Sequence, residues 1–146
     1  MIRLATQGNL DFLDRTDPHL TRAALAAKIE REEVYVAESN GQLIGLARFN
    51  YFCDLDPFLT LIHVLESYRR QGFGRQLMQH WEQQMREKGH WLLLTSTQAD
   101  EESQFFYRRL GYSDSGAMLF PGQAATELVM LKSLTNSEPA HGPRRK

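Results

Sequence analysis

Tyr68-Arg69-Arg70-Gln71-Gly72-Phe73-Gly74-Arg75 joins an apolar, strand-like stretch at residues 59–65 to a helix-like stretch at residues 73–88. Gly72 and Gly74 sit where strand hands over to helix, with Arg69, Arg70 and Arg75 around them. A glycine turn exposes backbone N–H groups because no Cβ shields them. The first turn of the following helix adds N–H groups without intrahelical acceptors and the positive end of the helix dipole. Together these features hold a phosphate or pyrophosphate. The stretch therefore predicts a phosphorylated ligand on a strand–turn–helix unit.

Two phosphate loops can be set aside. The P-loop requires Gly-x-x-x-x-Gly-Lys-Ser/Thr. Here no Lys-Ser/Thr pair follows Gly74. The dinucleotide fingerprint requires a third glycine, and Leu77 stands at its position. What remains is Arg-x-x-Gly-x-Gly at Arg69, Gly72 and Gly74. This resembles the acyl-coenzyme-A loop of the GNAT N-acyltransferase superfamily, Gln/Arg-x-x-Gly-x-Gly/Ala. Downstream, residues 100–112 read Asp-Glu-Glu-Ser-Gln-Phe-Phe-Tyr-Arg-Arg-Leu-Gly-Tyr. They resemble the second GNAT motif, Asn-x-x-Ala-x-x-x-Tyr-x-x-x-Gly-Phe/Tyr, and follow a strand-like stretch at 91–97 as that family requires. The likeness spans about residues 58–112 and extends more loosely to both sides. Asp100 stands where the family has Asn, and Ser103 where it has Ala, which puts the pantetheine contact of that Asn in question.

The resemblance implies a GNAT-like acyl-CoA N-acyltransferase fold: a mixed, mostly antiparallel sheet with a splayed central parallel strand pair, flanked by helices. It implies acetyl-CoA as co-substrate and transfer of its acetyl group to a primary amine by direct attack. The implied cofactor contacts are Val64, Arg69, Arg70, Gln71, Gly72, Phe73, Gly74, Arg75, Asp100, Ser103 and Tyr107. By motif position, the Val64 N–H is the oxyanion donor and Tyr107 is the general acid that protonates the leaving thiolate. The base is Glu66 or His63, or else ordered water carries the amine proton away with no dedicated base. His63 has a suitable ordinary pKa, about 6.5, yet strand neighbours point to opposite faces, so a bulge is expected if it is to act beside Val64. Asp54, Asp56 and Glu66 favour a cationic small-molecule amine over an acidic substrate, with a peptide N-terminus or a lysine as the other candidate acceptors. The alternative is a non-catalytic acyl-CoA-binding sensor or regulatory module, which would have no use for Tyr107.

The bulk properties agree. The 146 residues fit one domain with a real core, expected over 1–132 with a polar, disordered tail at 133–146. A formal net charge of −1 speaks against a nucleic-acid surface. One cysteine, Cys53, excludes an internal disulfide and a metal framework, and the five histidines lack metal-ligand spacing. With no secretory leader and no membrane-spanning run expected, the reading is a cytoplasmic monomer or homodimer.

Pattern alone also orders the elements. Residues 2–6 form an edge strand and residues 9–14 a short helix. Asp17-Pro18 reads as N-cap and first helical residue of a helix to Arg31. Residues 34–38 and 42–49 are strands joined by Asn40-Gly41, a strong hairpin signal. Residues 50–57 read as a loop. Phe73, Leu77, Trp81 and Met85 make an amphipathic stripe, stopped by Gly89. The strand–helix–strand unit from 59 to 97 makes its two strands parallel. Asp100 is expected to cap a helix that Gly111 ends; residues 116–124 form a loop, and residues 127–131 a last strand. The order is β-α-α-β-β-β-α-β-α-β-β, an α/β layered domain.

Overall fold

The computed structural model describes residues 1–134. In chain order these form β1 (Ile2–Leu4), α1 (Leu10–Thr16), α2 (Arg22–Glu30), β2 (Val34–Ser39), β3 (Gln42–Phe52), β4 (Asp56–Val64), α3 (Phe73–Glu87), β5 (Leu92–Gln98), α4 (Ser103–Arg109), β6 (Ser113–Met118) and β7 (Glu127–Ser133). The element order is the one read from pattern. The sheet runs β1-β2-β3-β4-β5-β7-β6. β1–β2, β2–β3, β5–β7 and β6–β7 pair antiparallel. β4 and β5 pair parallel over two register pairs, Phe58 with Leu94 and Leu59 with Thr95. β4 then continues to Val64.

The described chain divides into two units. The first holds residues 1–50 and 61–83; the second holds residues 51–60 and the chain from Gln84 onward.

In the first unit, alternation along β2 sends Val34 and Val36 to one face. There they meet Leu46 of β3 and Phe12, Leu13, Leu25 and Ile29 of α1 and α2. Tyr35 and Phe49 take the opposite face, stacked at 6.1 Å, and Phe49 meets Trp81 of α3 at 5.9 Å. Leu77, Met78 and Trp81 are fully buried, so the stripe read at helical spacing is the core face of α3. Burying each such side chain stabilises the fold by about 1.5–3 kcal/mol. Asn40 and Gly41 both take positive φ, 51° and 77°, as a two-residue hairpin turn requires.

Asp17 corrects the sequence reading. α2 begins at Arg22, capped by Thr21, whose hydroxyl accepts from the Ala24 N–H at 3.1 Å. The Asp17 carboxylate is instead buried against Arg48, 2.7 Å from Nε, and also accepts from the His19 N–H. A long-range ion pair outcompetes the local cap.

In the second unit, β5 pairs with β7, and β7 with β6. Residues 50–57 are not all loop. β3 runs to Phe52 and β4 starts at Asp56, because Cys53 and Asp54 turn the chain at φ 54° and 59°. β6 reaches Met118, so the loop expected from Gly116 starts three residues later. Gly89 and Gly111, at φ 90° and 96°, follow α3 and α4. The His90 N–H donates back to Met85, and the Tyr112 N–H to Tyr107. At the far end β7 includes Ser133, and the Leu134 N–H donates to the Trp91 carbonyl at 2.7 Å. The expected tail therefore has its first two residues paired; residues 135–146 lie outside the described residues. Among the described residues, no helix is long and apolar enough to cross a membrane.

Candidate active site

The glycine loop takes the conformation its residues suggest. Arg70 and Gly72 both lie in the left-handed region, φ 62° and 89°, and the chain then enters α3 at Phe73. The Gln76 N–H donates to the Gly72 carbonyl at 3.0 Å. The N–H groups of Phe73, Gly74 and Arg75 precede that bond, at the positive end of a fifteen-residue helix. A Cβ on Gly72 would meet nothing within 4 Å. The glycine thus supplies a backbone angle and an open approach, rather than relief from a neighbour. Gly74 is an ordinary helical residue in the first turn.

The side chains divide the work. Arg69 is committed in part: its Nε donates to the Val64 carbonyl at 2.9 Å. Gln71 donates to the Ser67 carbonyl, and Tyr68 donates to Gln42 Oε1 at 2.9 Å. Arg70 and Arg75 are exposed and pair with no carboxylate among the described residues. The basic character read from sequence therefore rests on these two guanidiniums and on the outer nitrogens of Arg69.

At the end of β4, the Leu65 N–H donates to the Ile44 carbonyl at 2.8 Å. Strand alternation then turns the Val64 N–H away from β3. Gly45 makes the close approach of β3 to β4: a Cβ there would stand 2.9 Å from the His63 carbonyl oxygen. That glycine was not singled out from sequence, since its role depends on strand pairing.

His63 needs no bulge to reach a site. It shares the β4 face of Leu61 and Leu65, which pack on the cluster under α1 and α2. A cavity lies there in two lobes, each about 400 Å³, both lined by Phe12, Arg15, Leu43 and Leu65. His63 and Thr16 complete one lobe. Half-buried, His63 has its pKa lowered from 6.5, first by desolvation and then by the Arg69 guanidinium, with Asp17 opposing. A cavity-facing imidazole is therefore neutral at neutral pH. Glu66 sits in the 3-10 turn Glu66–Tyr68, exposed and outside the residues that line the cavity. The pairing of α1 with β3 and β4 could not be seen from local pattern, so Phe12 and Arg15 went unremarked in the sequence.

In the second unit, Tyr107 is buried on α4, with its ring edge-on to Phe106 and Tyr112. Desolvation pushes its phenol up to about 12, against a hydrogen bond with Thr95. The Thr95 hydroxyl also reaches the Leu59 carbonyl, at 3.1 Å. Ser103 lies 2.6 Å from the Thr97 hydroxyl and fixes α4 to β5. Asp100 does not cap α4. It is exposed in the turn before it, and Glu102 stands at the N-cap without a side-chain bond. Gln104 binds the Ala99 carbonyl at 2.8 Å instead. Of the acids read from sequence, Asp56 is buried, while Asp54 and Glu66 are exposed. Among the described residues, no group of three His, Cys, Asp or Glu side chains could hold a metal.

The family model for an acetyltransferase (GNAT) domain matches residues 30–114. The chain belongs to the GNAT acetyltransferase family. Solved structures of this fold include Ard1 from Thermoplasma volcanium, with a TM-score of 0.82 at 18 % identity over 93 % of this chain and 98 % of that one. The ribosomal-protein-S18-alanine N-acetyltransferase of Escherichia coli has a TM-score of 0.76 at 18 % identity over 97 % of each chain. The yncA protein of Salmonella typhimurium, solved with its cofactor acetyl-CoA, has a TM-score of 0.79 at 16 % identity over 98 % of each. At these identities the likeness is one of fold. No curated protein matches the chain.

Proposed function

We propose that this GNAT protein is an acetyl-CoA-dependent N-acetyltransferase acting on a primary amine by direct attack. The observation that carries the reading is the Arg69–Arg75 loop within the matched GNAT domain: two left-handed residues, an open glycine and free N–H groups at the head of α3. The loop N–H groups bind the pyrophosphate of the cofactor, and Arg70, Arg75 and the outer nitrogens of Arg69 add charge-assisted contacts. Acetyl-CoA bound to yncA, a protein of the same fold, supports this choice of ligand.

The Val64 N–H stabilises the oxyanion that forms on the thioester carbonyl. The neutral amine attacks, and His63 takes the proton its nitrogen sheds as the C–N bond forms, because the neutral imidazole lines a cavity large enough for a small acceptor. The new C–N bond forms as the C–S bond breaks, and negative charge grows on sulfur. By its position in the GNAT motif, Tyr107 is the group assigned to donate a hydrogen bond to that sulfur. A phenol near 12 gives up its proton reluctantly to a thiolate whose ordinary pKa is about 8.5. It therefore acts chiefly by stabilising charge, and remains protonated throughout the neutral range.

The test is a thermal shift with acetyl-CoA. The cofactor is expected to raise the melting temperature by mass action. Gly72→Asp, which puts a carboxylate at the pyrophosphate, is expected to abolish that rise. A full cofactor shift in the variant would remove the loop as the site.

A further inference from the structure

Arg15 is a cation without a counter-charge at the mouth of a site whose other walls are uncharged or apolar. It stands in the last turn of α1 and lines both lobes of the cavity that holds His63. The acids of its own helix are taken: Asp11 and Asp14 both pair with Arg22, at 2.6 and 3.5 Å. Asp17, just beyond, is buried against Arg48. Among the described residues Arg15 enters no ion pair. Beside it Phe12, Leu43 and Leu65 form an apolar wall, and His63 is held toward its neutral form.

From this arrangement we infer that the acceptor is a small amino-carboxylate with an apolar side group, such as a free hydrophobic amino acid. Arg15 grips the carboxylate, Phe12, Leu43 and Leu65 cover the side group, and the amine faces His63. Arginine presents a planar fork that matches a carboxylate in two places. The inference rests on the acetyltransferase reading and reverses the preference for a cationic acceptor drawn from Asp54, Asp56 and Glu66. Those acids line neither lobe.

The experiment is calorimetry on the full chain saturated with CoA, titrated with N-acetyl-L-phenylalanine and with N-acetyl-L-phenylalaninamide. The two probes share shape and differ in charge, and neither needs turnover. The wild type is expected to bind the acid about tenfold more tightly, the worth of one charged hydrogen bond. Arg15→Gln is expected to erase the difference, and Arg15→Lys to restore part of it. Equal affinities in the wild type, binding of neither probe, or a preference that survives Arg15→Gln each overturns the assignment. Tighter binding of an acetylated peptide than of the acid overturns the small-molecule occupant. Failure of CoA itself to bind sinks the acetyltransferase reading instead, and the first titration shows this separately.

Discussion

The Arg69 Nε donates to the Val64 carbonyl oxygen at 2.9 Å. One residue of the glycine loop thus fixes the main chain at the end of β4, where the thioester carbonyl is proposed to sit. Its outer nitrogens stay available for phosphate. Arg69→Ala should lower acetyl-CoA affinity by about tenfold or more, the scale of a lost charged hydrogen bond. Arg69→Lys should not restore it, because a compact ammonium lacks the planar fork that spans two separated partners. Calorimetry with acetyl-CoA reads both variants, and wild-type affinity in the lysine variant would contradict the dual role.

Activity should depend on pH through His63. Burial and Arg69 lower its pKa from 6.5, so the base is neutral above that folded value and is lost by protonation below it. kcat/KM should therefore rise through an apparent pKa below 6.5 and then level off. His63→Gln should lower the plateau by about 10²-fold and flatten the acid limb. Stability follows the same sign: the unfolded chain takes the proton first, so His63 makes the fold less stable as pH falls below 6.5. An unchanged acid limb in the variant would assign the proton to Glu66 or to water.

Asp17 and Arg48 form a buried ion pair whose side chains are 0 % and 5 % exposed. Removing one member leaves a charge without its partner. Arg48→Ala should cost about 3–5 kcal/mol, while a double replacement by apolar residues of similar volume should cost much less. Urea denaturation of the two variants measures this. Equal losses would mean that packing, rather than charge, sets the cost.

The parts of this fold that were legible in sequence depend on neighbours along the chain. Asn40-Gly41 turns a hairpin and Gly72 turns the loop because their own backbones favour positive φ. Leu77, Trp81 and Met85 share a face because of helical spacing. One misreading came from a partner distant in sequence, the others from local competitors. Asp17 looked like a cap because Arg48 lies thirty-one positions away. Asp100 also looked like a cap, yet Gln104 and Ser103 hold that turn. The loop at 50–57 shrank because Cys53 and Asp54 accept a left-handed turn, which Asn-Gly signals and they do not. In the candidate site, the loop residues were visible as a motif, whereas Phe12, Arg15 and Gly45 acquire meaning only when α1, β3 and β4 come together.

Tyr107→Phe should keep the fold and most of the CoA affinity, since the ring contacts with Phe106 and Tyr112 remain. Turnover should fall by about 10²-fold, as expected for loss of a proton or hydrogen-bond donor. With the phenol near 12, wild-type activity should show no basic limb from this group between pH 7 and about 10. A kcat close to wild type would take Tyr107 out of the mechanism.

Acetyl transfer is read by following free thiol and acetylated amine together. Purified protein is incubated with acetyl-CoA and a panel of primary amines that includes free hydrophobic amino acids. Thiol release is read spectroscopically and the product by mass spectrometry. The expected result is thiol and N-acetylated amine in equal amounts, at a rate proportional to protein and far above the rate without it. Tight acetyl-CoA binding with no thiol released above background, for any amine, would contradict catalysis and identify a non-catalytic acyl-CoA-binding module.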